Sequence, residues 1–225
     1  MAKRNSLSEA VQAVVFDLDG VLVDSEQVWD EVRERLAREN GGRWHDRAQA
    51  DMMGMSSTEW SRYMHDVIGL AASPDEINRE VVRRLLARYR ESLPLLPGAV
   101  EAVERLARVW PLGLASSSNR EVIDAVLEAS GLTDRFRATL SSEEVARGKP
   151  APDVYLEAAR RLGADPARCA AVEDSRNGIR SAHAAGMRVL AIPNAHYPPA
   201  EDVLATADVV LRSLEELTPE RISAS

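Results

Sequence analysis

The sequence predicts an α/β protein: a doubly wound parallel sheet with a helical cap inserted into it. Three observations carry that expectation. Short apolar runs bounded by turn residues recur at 13–16 (AVVF), 112–115 (LGLA), 136–140 (FRATL), 169–172 (CAAV), 188–192 (RVLAI) and 208–211 (DVVL), as strands buried on both faces require. Helix-length segments separate the later runs, and strands alternating with helices argue for a parallel sheet. Residues 25–95, between the first and second runs, read as helix alone. That stretch is too long for a βα loop and too short for an independent enzyme domain. It suits a cap above the C-terminal edge of the sheet, where such sheets bind ligands.

The elements follow in order. After strand 13–16, Asp24-x-x-Gln27 opens a helix with Val28, Val32 and Leu36 on one face, closed by Gly41-Gly42. Ser56-x-x-Glu59 is a capping box, followed by Trp60, Met64, Val67 and Ile68 and terminated by Gly69. Ser73-Pro74-Asp75-Glu76 places proline at a first helical position, ahead of Ile77, Val81, Leu85 and Tyr89. Pro94 and Pro97-Gly98 end the block, which assigns 25–95 to the cap and 1–24 with 96–225 to the core. Beyond strand 112–115, Ser118-x-x-Glu121 reads as another capping box with Gly131 as terminator. Helix 152–162 carries apolar Val154, Tyr155, Ala158 and Leu162 up to Gly163, and helix 175–185 ends at Gly186. Trp29, Trp44 and Trp60 all lie in the cap and read as packing between its helices rather than as a sugar-stacking face. Gly54-Met55-Ser56 reads as a cap loop facing the site.

Composition narrows the function. The 225 residues match one large domain, or one with an insertion, at about 150 residues per domain. Twenty-eight basic against 36 acidic residues give a net charge of −8, which argues against a broad nucleic-acid surface. No apolar run approaches the ~18 residues of a membrane span, and residues 1–12 lack a signal-peptide core, so a cytoplasmic protein is expected. Monomer is the simplest oligomeric state. One cysteine, Cys169, excludes an internal disulfide and reads as a small buried hydrophobe. His45, His65, His183 and His196 lack metal-ligand spacing and are assigned no chemistry. There are 26 arginines and only two lysines, Lys3 and Lys149.

Four features carry chemistry. Asp17-Leu18-Asp19-Gly20 sets two carboxylates at a strand end. It reads as a catalytic pair or as an acidic turn, and an EF-hand loop fails because its fifth and twelfth positions are Val21 and Val28. Ser116-Ser117-Ser118 follows the second strand, as a phosphate seat or a plain helix cap. Gly148-Lys149-Pro150 offers a compact positive charge to an anion, or is chance in an arginine-rich chain. Glu173-Asp174 after strand 169–172 provides hard oxygen ligands of the kind Mg²⁺ prefers, or the acidic start of a helix. All four fall on one edge of one sheet, and a shared site explains them better than four coincidences.

The segments DLDGVLVDSE, GLASSS, GKPAPDVYL and EDSRNGI, in this order, closely resemble the haloacid dehalogenase-like hydrolase superfamily. The likeness is to the branch with a small helical cap on a Rossmann-like core, which holds sugar-phosphate and hexitol-phosphate phosphatases and β-phosphoglucomutases. The resemblance implies an Mg²⁺-dependent phosphatase acting on a small phosphorylated metabolite. It makes Asp17 the nucleophile and Asp19 the general acid and base. Ser116, the Ser117 backbone N–H and Lys149 would hold the phosphoryl group. Asp17, the Asp19 carbonyl and Asp174 would hold Mg²⁺, with Glu173 supporting directly or through water. The electrostatics agree: at ~4 Å and an effective dielectric near 20, each charge pair is worth about 4 kcal/mol, so carboxylate and phosphate meet only if cations offset the repulsion. A phosphomutase is the alternative, although Trp29 and Ser57 stand where mutases keep His and Arg, and Arg33, Arg43, Arg47 and Arg62 lie nearby. A non-catalytic module on the same fold is a further alternative. Dehalogenases lack the second Asp, and phosphonatases need a cap Lys that this chain does not have.

Overall fold

The computed structural model describes residues 10–194 and 197–224, so Lys3 and His196 lie outside the described residues. Six strands form one parallel sheet: β1 (Ala13–Phe16), β2 (Leu112–Ser116), β3 (Phe136–Ser141), β4 (Cys169–Glu173), β5 (Arg188–Ala191) and β6 (Val209–Val210). Their order is β3-β2-β1-β4-β5-β6, every pairing parallel. The order reverses direction at β1, and doubly wound sheets open their ligand crevice at such a reversal. The parallel sheet and the six apolar runs that form it are those the sequence predicts, the strand order is read from the structure, and β6 is trimmed to two residues.

Val14 and Phe16 of β1 pack into one apolar cluster and Ala13 and Val15 into the other, on the opposite face. The first face is covered by α5 (Ala99–Ala107) and α6 (Arg120–Ser130), through Ala102, Val103, Leu106, Ile123 and Val126. The second is covered by α7 (Asp153–Leu162) and α8 (Arg176–Ala184), through Val154, Ala158, Ile179 and Ala182. Short α9 (Glu201–Leu204) and α10 (Pro219–Ser223) complete the chain. Cys169 is buried in the second cluster, as expected.

Four helices lie between β1 and α5: α1 (Glu26–Glu39), α2 (Ala48–Met52), α3 (Ser57–Asp66) and α4 (Pro74–Glu91). The capping boxes of α3 and α4 form as read, with Ser56 N donating to Glu59 at 2.8 Å and Ser73 N to Glu76 at 2.9 Å. Helix α1 departs from the reading: it starts at Glu26 behind Ser25, and no side chain caps it. Helix α2 escaped the sequence because it is one turn long and its N-cap, Arg47, makes no side-chain cap bond. The two linkers to this helical unit pair with each other, Asp24 N on Pro94 O at 2.8 Å and Leu96 N on Leu22 O at 3.0 Å. Among the described residues no helix is long and apolar enough to cross a membrane.

Candidate active site

The ends of β1, β2 and β4 and the loop after β3 converge beneath the four-helix cap. Asp17 leaves β1 with its backbone fixed by the sheet, its N–H donating to Val172 O at 2.9 Å. Gly20 has a φ of 75°, and a Cβ there would land on the Asp174 carboxylate. Glycine permits both the turn and the close approach of the two acidic loops.

Lys149 reaches into this cluster, 3% exposed. Its Nζ donates to Asp17 Oδ1 at 2.7 Å and to Glu173 Oε1 at 2.6 Å. Tyr155 donates its hydroxyl to the same Glu173 oxygen at 2.7 Å. Glu173 Oε2 accepts from the N–H groups of Asp174 and Ser175 at 3.1 and 3.3 Å. Burial pulls the Lys149 ammonium down, but the Asp17 and Glu173 carboxylates more than offset this and hold it above its ordinary value. Burial pushes the Asp17 carboxyl up, Glu173 and Asp19 add to the rise, and Lys149 opposes it.

Asp174 tests whether the site fits a cation. Its Oδ2 accepts from Asn194 at 3.3 Å, while Oδ1 is buried with no hydrogen-bond partner among the described residues. Burial, then the Glu173 and Asp17 carboxylates, drives its pKa well above the usual carboxylate range. Asp17, Glu173 and Asp174 bring carboxylate oxygens within 4.8 Å of one another. Three buried carboxylates against one ammonium leave the cluster short of positive charge. Hard oxygen donors are the set that a small divalent cation takes.

Asp19 is held from two sides. Trp29 Nε1, from the cap, donates to Oδ1 at 3.1 Å; Ser118 Oγ, from the core, donates to Oδ2 at 2.6 Å, and Ser116 Oγ to the same oxygen at 3.4 Å. Two sequence readings are thereby corrected. Ser118 does not cap a helix: α6 starts one residue later behind Asn119, and the Ser118 hydroxyl is spent on Asp19. Trp29 and Trp60 do not only pack the cap, because both line the cavity above Asp17 and Asp19. Ser116 is buried at the end of β2 and its Oγ accepts from Ser118 N at 2.9 Å. Ser117 lines the cavity and donates to Gly54 O at 3.2 Å, so the 54–56 loop faces the site as read. All seven predicted residues, Asp17, Asp19, Ser116, Ser117, Lys149, Glu173 and Asp174, therefore meet at one sheet edge.

Further residues join them: Trp29 and Arg33, which the sequence reading names only as cap packing or beside the mutase positions, and Glu26 and the Tyr155 hydroxyl, to which it gives no role. Tyr155, which the periodicity of α7 reads as apolar packing, fixes Glu173 with its hydroxyl. Glu26, Trp29 and Arg33 fall at i, i+3 and i+7 of α1, one helical face, and all three line the cavity. Two charged residues on an inward face were the available signal. Trp29→Phe, which keeps the packing and deletes the donor to Asp19, should lower kcat about tenfold, a fraction of what acid–base catalysis supplies. Steady-state kinetics at saturating substrate check it, and an unchanged kcat would make the Trp29 bond incidental.

The cap is closed on the core. Ser57 Oγ and Asn119 Nδ2 both donate to Glu143 Oε1 at 2.8 Å, and Asn177 Nδ2 donates to Met53 O at 3.3 Å. The cavity between cap and core has room for about 50 Å³. At the ~10–15 Å³ that one water needs, it takes a few waters and not a sugar phosphate, so substrate entry requires the cap to lift.

Comparison with known proteins agrees with this geometry. Residues 11–186 match the model of the haloacid dehalogenase-like hydrolases. Hexitol phosphatase B of Escherichia coli K12 is 35% identical, the match covering 95% of this chain and 97% of that protein. The bifunctional riboflavin kinase/FMN phosphatase of Arabidopsis thaliana is 32% identical across 98% of this chain, which spans only 58% of that longer protein. A solved structure of CbbY from Rhodobacter sphaeroides, in complex with xylulose 1,5-bisphosphate, superimposes with a TM-score of 0.82 at 28% identity, over 92% of this chain and 96% of CbbY.

Proposed function

This chain belongs to the haloacid dehalogenase-like hydrolases and is a phosphatase, and on that premise we propose that it hydrolyses a sugar or polyol monophosphate through an aspartyl-phosphate on Asp17, with Mg²⁺ as cofactor. The observation that carries the reading is the pairing of Asp17 with Lys149 at 2.7 Å beside an Asp19 carboxylate gripped by Trp29 and Ser118. One carboxylate is thus set beside a cation as a nucleophile, and the other is oriented for proton transfer.

Lys149 binds Asp17 Oδ1, leaving Oδ2 for attack on phosphorus. The bond from phosphorus to the leaving alkoxide breaks as Asp19, protonated, gives that oxygen its proton. Asp19, now ionised, takes a proton from water; the water oxygen attacks phosphorus, the bond to Asp17 breaks, and inorganic phosphate leaves. Ser116, the Ser117 N–H and Lys149 hold the phosphoryl oxygens. Asp17, the Asp19 carbonyl and Asp174 would hold Mg²⁺, which supplies positive charge against the anionic transition state. Glu173, whose oxygens accept from Lys149, Tyr155 and backbone N–H groups, positions Lys149 and, within 4.8 Å of the Asp17 and Asp174 oxygens, would support Mg²⁺ directly or through water. Likeness to a hexitol phosphatase supports a polyol or sugar leaving group. Ser57, where similar mutases keep an arginine, instead hydrogen-bonds Glu143 at the cap–core seam, which supports net phosphate release over phosphate transfer.

Turnover of p-nitrophenyl phosphate and of a panel of phosphorylated metabolites, with Mg²⁺ and with chelator, tests the proposal. Chelator should silence the enzyme and Mg²⁺ restore it. Asp174→Ala should raise the Mg²⁺ concentration for half-maximal rate about tenfold or more, because it deletes a charged ligand. Full activity in EDTA would overturn the metal assignment.

A further inference from the structure

The cap wall facing the catalytic acids sets two charged side chains, Glu26 and Arg33, among Trp29, Trp60 and three methionines. Arg33, 5% exposed, packs against two adjoining indoles, its guanidinium carbon 4.5 Å from the Trp29 ring centroid and 4.7 Å from that of Trp60, with the two rings 5.9 Å apart. Two cation–π contacts, one to each ring, hold the guanidinium in place. Gln49 stands behind and uses both ends of its amide: Oε1 accepts from Arg33 Nη1 at 3.2 Å, and Nε2 donates to Glu26 Oε2 at 2.7 Å. The bracket fixes one cation and one carboxylate side by side on the cavity wall. Arg33 Nε has no partner among the described residues. Burying such a pair is costly, and a cap needing only adhesion between helices would use apolar residues there.

We propose that Glu26 and Arg33, bracketed by Gln49, form a recognition wall for the hydroxyl groups of the leaving alcohol, and that their opposed charges select monophosphates against substrates carrying a second phosphate. The inference rests on the phosphatase reading and names what the cap side of that site recognises. A guanidinium donates and a carboxylate accepts, the complementary pair that a polyol chain satisfies with successive hydroxyls. A second phosphate would also be drawn to Arg33, but it would meet the Glu26 carboxylate beside it, and like charges at a buried wall repel strongly. Burial pushes Glu26 up to about 7, and Asp19 adds to this while Arg33 opposes it; burial pulls Arg33 down only to about 10. At pH 8 both groups are charged and the wall is close to neutral.

The test is a matched pair, mannitol 1-phosphate and mannitol 1,6-bisphosphate, with p-nitrophenyl phosphate as a substrate lacking both features, all at pH 8. The wild-type protein should favour the monophosphate in kcat/KM by about tenfold or more, the scale of one misplaced buried charge. Glu26→Gln is nearly isosteric, keeps an acceptor for Gln49 and removes the negative charge. It should shift that preference toward the bisphosphate by at least about tenfold, through KM, and by more than any change with p-nitrophenyl phosphate. A wild-type preference for the bisphosphate would overturn the proposal and make Arg33 a second phosphate clamp. A Glu26→Gln variant that moves all three substrates alike would overturn it in favour of a purely structural pair. A wild-type protein that releases phosphate from none of the three, p-nitrophenyl phosphate included, would sink the phosphatase reading itself.

Discussion

Asp17→Asn should abolish turnover and leave the fold intact. The amide fills the same volume at the end of β1, where the backbone is fixed by its bond to Val172, and it still offers an oxygen to Lys149. It does not offer a nucleophile. No other group in the reaction scheme can form the bond to phosphorus, so the fall should be about 10⁴-fold or more, the scale of deleting a nucleophile elsewhere. Stability should move the other way or not at all in metal-free protein. Asp17 is one of three buried carboxylates within 4.8 Å of one another, and neutralising one relieves repulsion that a single ammonium does not cancel. Phosphate release, a thermal melt and mass spectrometry of quenched reactions check the three parts. The wild-type protein should carry a transient phosphoryl adduct that the variant lacks. Substantial activity in a clean preparation would sink the nucleophile assignment.

The parts of this site that the sequence revealed share a physical reason. Asp17, Asp19, Glu173 and Asp174 sit directly after apolar runs, and a run buried on both faces of a parallel sheet leaves little doubt about where it ends. Once the strand ends are located, their polar residues share one edge. Lys149 was found by composition, as a lysine in a chain that otherwise writes arginine. The residues missed were those whose pattern has a second local meaning. Ser118 with Glu121 satisfies the spacing of a capping box, and only the three-dimensional position of Asp19 draws its hydroxyl away. Trp29 lies on the inward face of an amphipathic helix, where a large aromatic residue is ordinarily packing. Its bond to Asp19 depends on the cap folding back over the sheet. Glu143, which ties Ser57 to Asn119, joins residues 86 positions apart in the first bond. No periodicity or motif encodes such a contact, because it is a product of docking rather than of local structure.

Lys149→Arg should cost about 10²–10³-fold in kcat/KM, the scale of losing one preorganised electrostatic donor, although the formal charge is unchanged. The position is tightly confined below the cavity: the ammonium touches Asp17 at 2.7 Å, Glu173 at 2.6 Å and the Tyr155 hydroxyl at 3.4 Å, and stands 5.0 Å from the centre of the Tyr155 ring. A guanidinium is planar, longer and carries five donors. Seating it in so confined a site would push Glu173 away from Tyr155 or turn Asp17 from its attacking orientation. Lys149→Met separates placement from charge. It leaves Asp17 and Glu173 buried without their cation, and breaking a buried pair in this way costs about 3–5 kcal/mol. The methionine variant should therefore lose both stability and activity, the arginine variant chiefly activity. Melting temperatures and kcat/KM for both, measured in the same buffer with Mg²⁺, check the contrast. Wild-type rates in Lys149→Arg would show that any cation serves and that the lone lysine is an accident of composition.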